Sequence, residues 1–236
     1  NDLLNAGLHT MTISMDGLGD EHNWMRGNKH SFEMVSQAID LLVSHPEIKF
    51  DILTCVNRRN YPHLDAIKQY LIDKGVKNWR VVAVFPVGRA ASDPDMHLMP
   101  EEYKGILEFI KQTRKEGRIA CSYGCEGFMG NFEGDIRNTF CGCHAGVTVG
   151  SVLVDGSISA CASIRSNYHQ GNIYQDDFMD IWQHRFLPYR NREWMRKGEC
   201  AECRYFRYCQ GSGMHLRDDE GNLIMCPLHR CKPSFI

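Results

Sequence analysis

The sequence predicts an α/β protein in two parts: an amino-terminal parallel sheet with alternating helices, then a small cysteine-rich α+β domain. Two observations carry this reading. Over the first 120 residues, short apolar strand-like runs alternate with amphipathic helical runs, the signature of repeated β/α units. Over the last 96 residues, eight of the eleven cysteines fall in an ordered pattern: Cys141, Cys143 and Cys161, then Cys200-x2-Cys203-x5-Cys209, then Cys226 and Cys231.

In chain order, residues 10–15, 50–56 and 79–85 read as strands. Residues 32–43, 64–74 and 101–116 read as helices, the last opened by Pro100, where a missing N–H is tolerated. A parallel sheet gathers its ligands at the carboxyl ends of the strands, so the loops after these strands are the candidate site. The glycine-rich stretch 121–144 reads as irregular, and residues 121–140 are expected to bridge a barrel-like part (1–120) and the cysteine domain (141–236). Within that domain, "VTVGSVLVDGSISAC" alternates around Asp155-Gly156, which predicts a hairpin with a two-residue turn that presents Cys161. A helix is expected over 176–186, with Phe178, Ile181, Trp182 and Phe186 inward and Asp176-Asp177 at its start. Asp218-Asp219-Glu220 before Gly221 reads as a turn.

Composition narrows the function classes. A chain of 236 residues with 43% apolar content can bury a sizeable core, and a net charge of −2 with scattered basic residues leaves no stripe for nucleic acid. No apolar run approaches the roughly 20 residues of a membrane span, and the expected location is the reducing cytoplasm. Complete disulfide pairing fits poorly with this length and with an odd cysteine count. Zinc is the serious alternative, because His215 or His229 would complete a set with Cys226 and Cys231. The Cys200–Cys203–Cys209 run favours an iron–sulfur cluster, with Cys226 returning as fourth ligand after sixteen residues. Cys55, in "FDILTCVNRR", reads as a buried strand thiol. His9, His22, His30, His45, His63 and His97 lack ligand spacing and read as solvated.

The cysteine pattern resembles the SPASM domain, the auxiliary-cluster module of radical S-adenosylmethionine (SAM) peptide-modifying enzymes. Cys143, Gly156 and Cys161 meet its first half; Cys200, Cys203 and Cys209 meet its second, whose last cysteine is here Gly213. That departure implies either that a first auxiliary cluster draws another ligand from Cys125, Cys141 or Cys231, or that it is open or absent. "TISMDGLGDEHNWMRGNKHSF" is similar to the central strand and loop of the radical SAM barrel at Ser14, Asp16, Gly17, Arg26, Gly27, Ser31 and Phe32. By that resemblance Ser14, Asp16 and Arg26 face SAM, with Ser14 and Arg26 at its methionine end, and the loop "VFPVGRA" with Gly88 contacts its other side. The wording around the cysteines is most like the lipoprotein-associated radical SAM/SPASM proteins. No Cys-x3-Cys-x2-Cys occurs, and Cys121-x3-Cys125 does not supply it, so a partial barrel without the catalytic-cluster loop is expected, inactive by itself.

The resemblance implies one or two auxiliary 4Fe-4S clusters, SAM in the intact parent, a peptide or protein substrate, and a reductant such as flavodoxin or ferredoxin. Sulfatase-maturing relatives carry aspartate directly after the hairpin cysteine; Ala162 stands there in this chain, which argues against that chemistry. The alternative is a non-catalytic scaffold or partner-binding module stabilised by iron–sulfur or zinc.

Overall fold

The computed structural model describes residues 2–124, 127–140 and 142–230. The chain divides into two compact units, the first from residues up to 124 and 131–139, the second from 127–130 and from 140 onward.

The first unit runs α1 (Asp2–Asn5), β1 (Thr10–Ser14), α2 (Asp20–Arg26), α3 (Ser31–Val43), β2 (Lys49–Val56), α4 (Leu64–Asp73), β3 (Asn78–Ala83), α5 (Pro100–Glu116), β4 (Ala120–Tyr123) and α6 (Glu133–Ile136). Its sheet has the order β1-β2-β3-β4 with every pair parallel. Ser14 is level with Leu53, and Val56 with Ala83, so the loops after β1, β2 and β3 emerge on one edge. The helices cover the sheet through regular stripes, Leu64, Ile67 and Leu71 on α4 and Tyr103, Ile106, Leu107 and Ile110 on α5. Burying each such side chain contributes about 1.5–3 kcal/mol. Trp79, 1% exposed, adds a polar rivet: its indole N–H donates to Thr54 Oγ1 at 2.8 Å, and the Thr54 hydroxyl donates to the Met15 carbonyl at 2.6 Å.

Among the elements of the first unit that depart from the sequence reading are β4 and α2. Residues expected to begin an irregular bridge instead form β4, the fourth parallel strand, with Cys121 and Tyr123 turned inward. Four residues are too few to show alternation in the sequence, and pairing with β3 supplies what local propensity does not. Residues 20–26, read as loop, form α2. Its boundaries are written in the chain: Asp20 and Glu21 in the first turn, Arg26 in the last, and Gly27 left-handed at φ 64° as the cap.

The second unit holds a small antiparallel sheet, β5 (Ser151–Val152), β6 (Ser157–Ser159) and β7 (Gly171–Asn172), followed by the short helices α7 (Phe178–His184), α8 (Leu187–Arg190), α9 (Phe206–Cys209) and α10 (Pro227–Arg230). The β5–β6 connection is a three-residue loop with Gly156 left-handed, closed by bonds from Leu153 N–H to Ser157 O and from Gly156 N–H to Leu153 O. It replaces the expected two-residue turn, and the extra residue sets the register that pairs Val152 with Ile158. Asp177 caps α7, accepting from the Asp180 N–H at 2.8 Å. Ile181 and Phe186 enter a core with Ile158, Tyr189 and Met195, against which Cys143, Cys161 and Cys203 pack half-buried.

Candidate functional site

At the carboxyl edge of the parallel sheet, Ser14 ends β1 half-buried and Asp16 follows fully buried. Asp16 Oδ1 accepts the Cys55 N–H at 2.8 Å, and Oδ2 pairs with Arg26 Nη2 at 2.5 Å. The Asp16 carboxylate therefore holds the guanidinium that α2 brings back over the strand end, while Arg26 stays about one-third exposed. Gly17 permits this return, since a Cβ there would stand 2.8 Å from Glu21 Cβ. Asn60 closes the loop from the other side, its amide donating to Asp16 O at 2.6 Å and to Cys55 O at 2.9 Å. Gly88, exposed and left-handed at φ 62°, opens the loop after β3.

His22 overturns the expectation that it is solvated. It is completely buried, and its Nδ1 accepts the Asp16 N–H at 3.0 Å, which leaves the proton of the neutral ring on Nε2, 3.0 Å from Ser31 Oγ. Burial pushes its pKa down, opposed by Asp16 and reinforced by Arg26. Burial also raises the Cys55 thiol to about 11 and the Cys121 thiol to about 12; Cys55, read as buried, is half-buried in β2.

The second candidate site is a cavity in the cysteine domain. Cys200, Cys203, Cys209 and Cys226 line it together with Phe128, Phe206, Ser212 and Leu228. Phe128 stacks on Tyr208 at 5.5 Å and packs on Tyr205 at 5.4 Å, an aromatic wall on one side. Burial raises the Cys209 thiol and lifts Cys226 to about 11, and in each case backbone N–H groups work against that rise: Gly211 and Ser212 at Cys209, His229 and Leu228 at Cys226. Such donors favour the thiolate, the form a metal requires. Gln210, Gly211 and Ser212 are all left-handed, which curls the chain around the Cys209 sulfur. Ser212 Oγ is buried in this wall without a hydrogen-bond partner among the described residues.

Among the described residues, Glu199, Cys226 and His229 place three donor atoms mutually within 4.8 Å, a set of mononuclear type, whereas no three of the four thiols are that close. Four thiols lining one cavity also suit a cubane, which spreads its ligands over several iron atoms. Cys125, Cys141 and Cys231, the further candidate ligands, lie outside the described residues.

The sequence reading missed His22, Asn60 and Ser212. Only α2's terminal charges gave a signal for the first, and Asn60 acts on Asp16 from 44 positions away.

Residues 143–205 match the SPASM family, an iron–sulfur cluster-binding domain. The chain is 26% identical over 242 residues to an AdoMet-dependent heme synthase of Oleidesulfovibrio alaskensis, covering 91% of this chain and 61% of that protein. It is 28% identical over 205 residues to the mycofactocin maturase MftC of Mycolicibacterium smegmatis, covering 86% and 52%. The chain thus spans about half to three-fifths of the length of these curated relatives. Among solved structures, anSMEcpe with bound AdoMet superposes with a TM-score of 0.69 at 20% identity, over 97% of this chain and 63% of that one, and Streptococcus suis SuiB bound to precursor peptide SuiA with 0.54 at 16%, over 73% and 42%. The SPASM domain binds auxiliary 4Fe-4S clusters, and among the described residues no helix is long and apolar enough to cross a membrane. With its parallel β/α unit, its SPASM match over residues 143–205 and these relatives, the chain is similar to radical SAM/SPASM proteins.

Proposed function

We propose that this chain supplies the SAM-orienting strand ends and the auxiliary-cluster domain of a radical SAM enzyme that modifies a peptide or protein. The observation that carries the cluster assignment is the shared cavity of Cys200, Cys203, Cys209 and Cys226. Cys226 is the fourth ligand in place of the cysteine that Gly213 replaces. Cys143 and Cys161, packed on the same core, are ligands of a further cluster that needs a partner from Cys125, Cys141 or Cys231.

At the strand ends, the Ser14 hydroxyl and the Arg26 guanidinium recognise the amino-acid end of SAM. Asp16 acts through Arg26, holding the guanidinium near the loop rather than touching the cofactor itself, because its side chain is wholly buried. Gly88 offers backbone polar groups to the opposite side of the cofactor. When bound, SAM and a catalytic cluster supply the radical chemistry; the residues of this chain bind, orient and exclude water. Names among the relatives favour a peptide substrate, since SuiB was captured with a precursor peptide and MftC is a maturase. A flavodoxin- or ferredoxin-like protein is the expected reductant.

Iron and acid-labile sulfide analysis of the anaerobically purified chain tests the cluster assignment. Cys226→Ser is expected to lose the cluster, whereas Cys55→Ala retains it and costs roughly 1 kcal/mol of packing. Stoichiometric zinc without iron or sulfide would overturn the assignment.

A further inference from the structure

Arg217 is completely buried, yet among the described residues no carboxylate pairs with it. Its Nη1 donates to Gly221 O at 3.2 Å; its Nη2 donates to Gly211 O at 2.7 Å and to Cys200 Sγ at 3.3 Å; its Nε finds no acceptor among the described residues. Two neutral carbonyls do not offset a guanidinium held away from water, a burial that costs several kcal/mol unless an anion stands nearby. The group facing it is a thiol of the cysteine cavity.

The surroundings are built to admit this cation. Gly211 is left-handed at φ 82°, and a Cβ there would stand 2.7 Å from Arg217 Nη2. Arg165 Nε donates to the Arg217 carbonyl at 2.9 Å, fixing the backbone that carries the side chain. Arg192, also buried, provides the contrast: its guanidinium donates to the carbonyls of Tyr189, Ser212, Cys143 and Ala145 and to no sulfur. Arg192 ties backbone segments together; among the described residues, Arg217 is the arginine that reaches a cysteine side chain of the cavity.

We infer that Arg217 is the counter-charge of the cluster held by Cys200, Cys203, Cys209 and Cys226, and that it raises the reduction potential of that cluster. A cubane bound by four thiolates is anionic and gains one further negative charge on reduction. A fixed cation at Cys200 Sγ therefore stabilises the reduced state more than the oxidised state, and low local dielectric magnifies the difference. Arg217 is a positioning and electrostatic residue: it touches a ligand sulfur, not substrate.

The inference rests on the auxiliary-cluster assignment, and one experiment separates the two. The reconstituted chain and its Arg217→Gln, Arg217→Met and Arg217→Lys variants are assayed for iron and sulfide, then titrated potentiometrically with EPR detection. The redox wave that Cys226→Ser removes identifies this cluster. Arg217→Gln and Arg217→Met are expected to keep their iron and to show, at fixed poise, an oxidised-to-reduced ratio about tenfold higher than the parent. That corresponds to a midpoint lower by ~59 mV for a one-electron couple. Arg217→Lys, which keeps the charge and loses the fork, falls between. A parent chain without iron and sulfide defeats the cluster assignment itself. A loaded parent whose midpoint is unmoved in the loaded Gln and Met variants defeats this inference alone. Loss of iron from all three variants also overturns it, because Arg217 would then serve folding rather than potential.

Discussion

Replacing Gly211 by alanine isolates the demand that the buried guanidinium makes on its loop. Gly198 provides the internal control, since both glycines are left-handed, at φ 82° and φ 52°, but a Cβ at Gly198 meets nothing within 4 Å. Gly198→Ala therefore carries only the backbone cost of a left-handed non-glycine residue, about 1–2 kcal/mol. Gly211→Ala carries the same cost and a steric one, because its Cβ would lie 2.7 Å from Arg217 Nη2, 2.8 Å from Met195 Cβ and 2.9 Å from Met195 Sδ. Met195 is fully buried and cannot swing into solvent. Overpacking of that kind costs about 1–3 kcal/mol, so Gly211→Ala should lose roughly 2–5 kcal/mol in total. The assay is anaerobic urea unfolding of the cluster-loaded chain, comparing midpoints of transitions with equal slopes. Equal destabilisation of the two variants, within about 0.5 kcal/mol, would refute the claim that the loop is closed around Arg217.

Three further outcomes are expected. His22 is buried with its pKa lowered, so below an unfolded-state pKa near 6.5 the unfolded chain binds a proton that the folded chain refuses; stability should fall as pH drops through that value, by up to about 1.4 kcal/mol per unit. Urea midpoints between pH 7.5 and 5.5 measure this, and the His22→Gln variant should flatten the curve; an unchanged slope would sink the assignment. Trp79→Phe removes the bond to Thr54 Oγ1 and part of a buried ring, and should cost about 2 kcal/mol in the same unfolding assay while leaving iron content unchanged. Glu21→Gln weakens the bidentate pair with Arg59, at 3.0 and 3.1 Å; because both side chains remain about one-third exposed, the loss should stay below about 1 kcal/mol.

Much of the parallel sheet was legible because each long element carries its own period. The stripe of Tyr103, Ile106, Leu107 and Ile110 and the Pro100 start define α5 without tertiary information. Short elements fared differently: β4 and β7, of four and two residues, are strands only because a neighbour pairs with them. His22 was misread because periodicity around a seven-residue helix says little about which face is covered, and its burial follows from the Asp16 N–H and Ser31 hydroxyl that receive it.

The sequence by itself determined the class of this protein. Cysteine spacing is covalent geometry written in order, and Cys200-x2-Cys203-x5-Cys209 points to a metal site before any fold is known. The Ser14-x-Asp16-Gly17 turn is likewise local, fixed by neighbours along the chain. Tertiary structure alone decided which charges stand beside those groups. Arg217 lies seventeen positions from Cys200 with no spacing rule to join them, and the 39-residue separation of Asp16 from Cys55 hides a hydrogen bond that only parallel strand pairing creates. Hydrogen bonds and burial depend on distance in space, and a local pattern of residue types does not encode which distant side chain will meet a given sulfur.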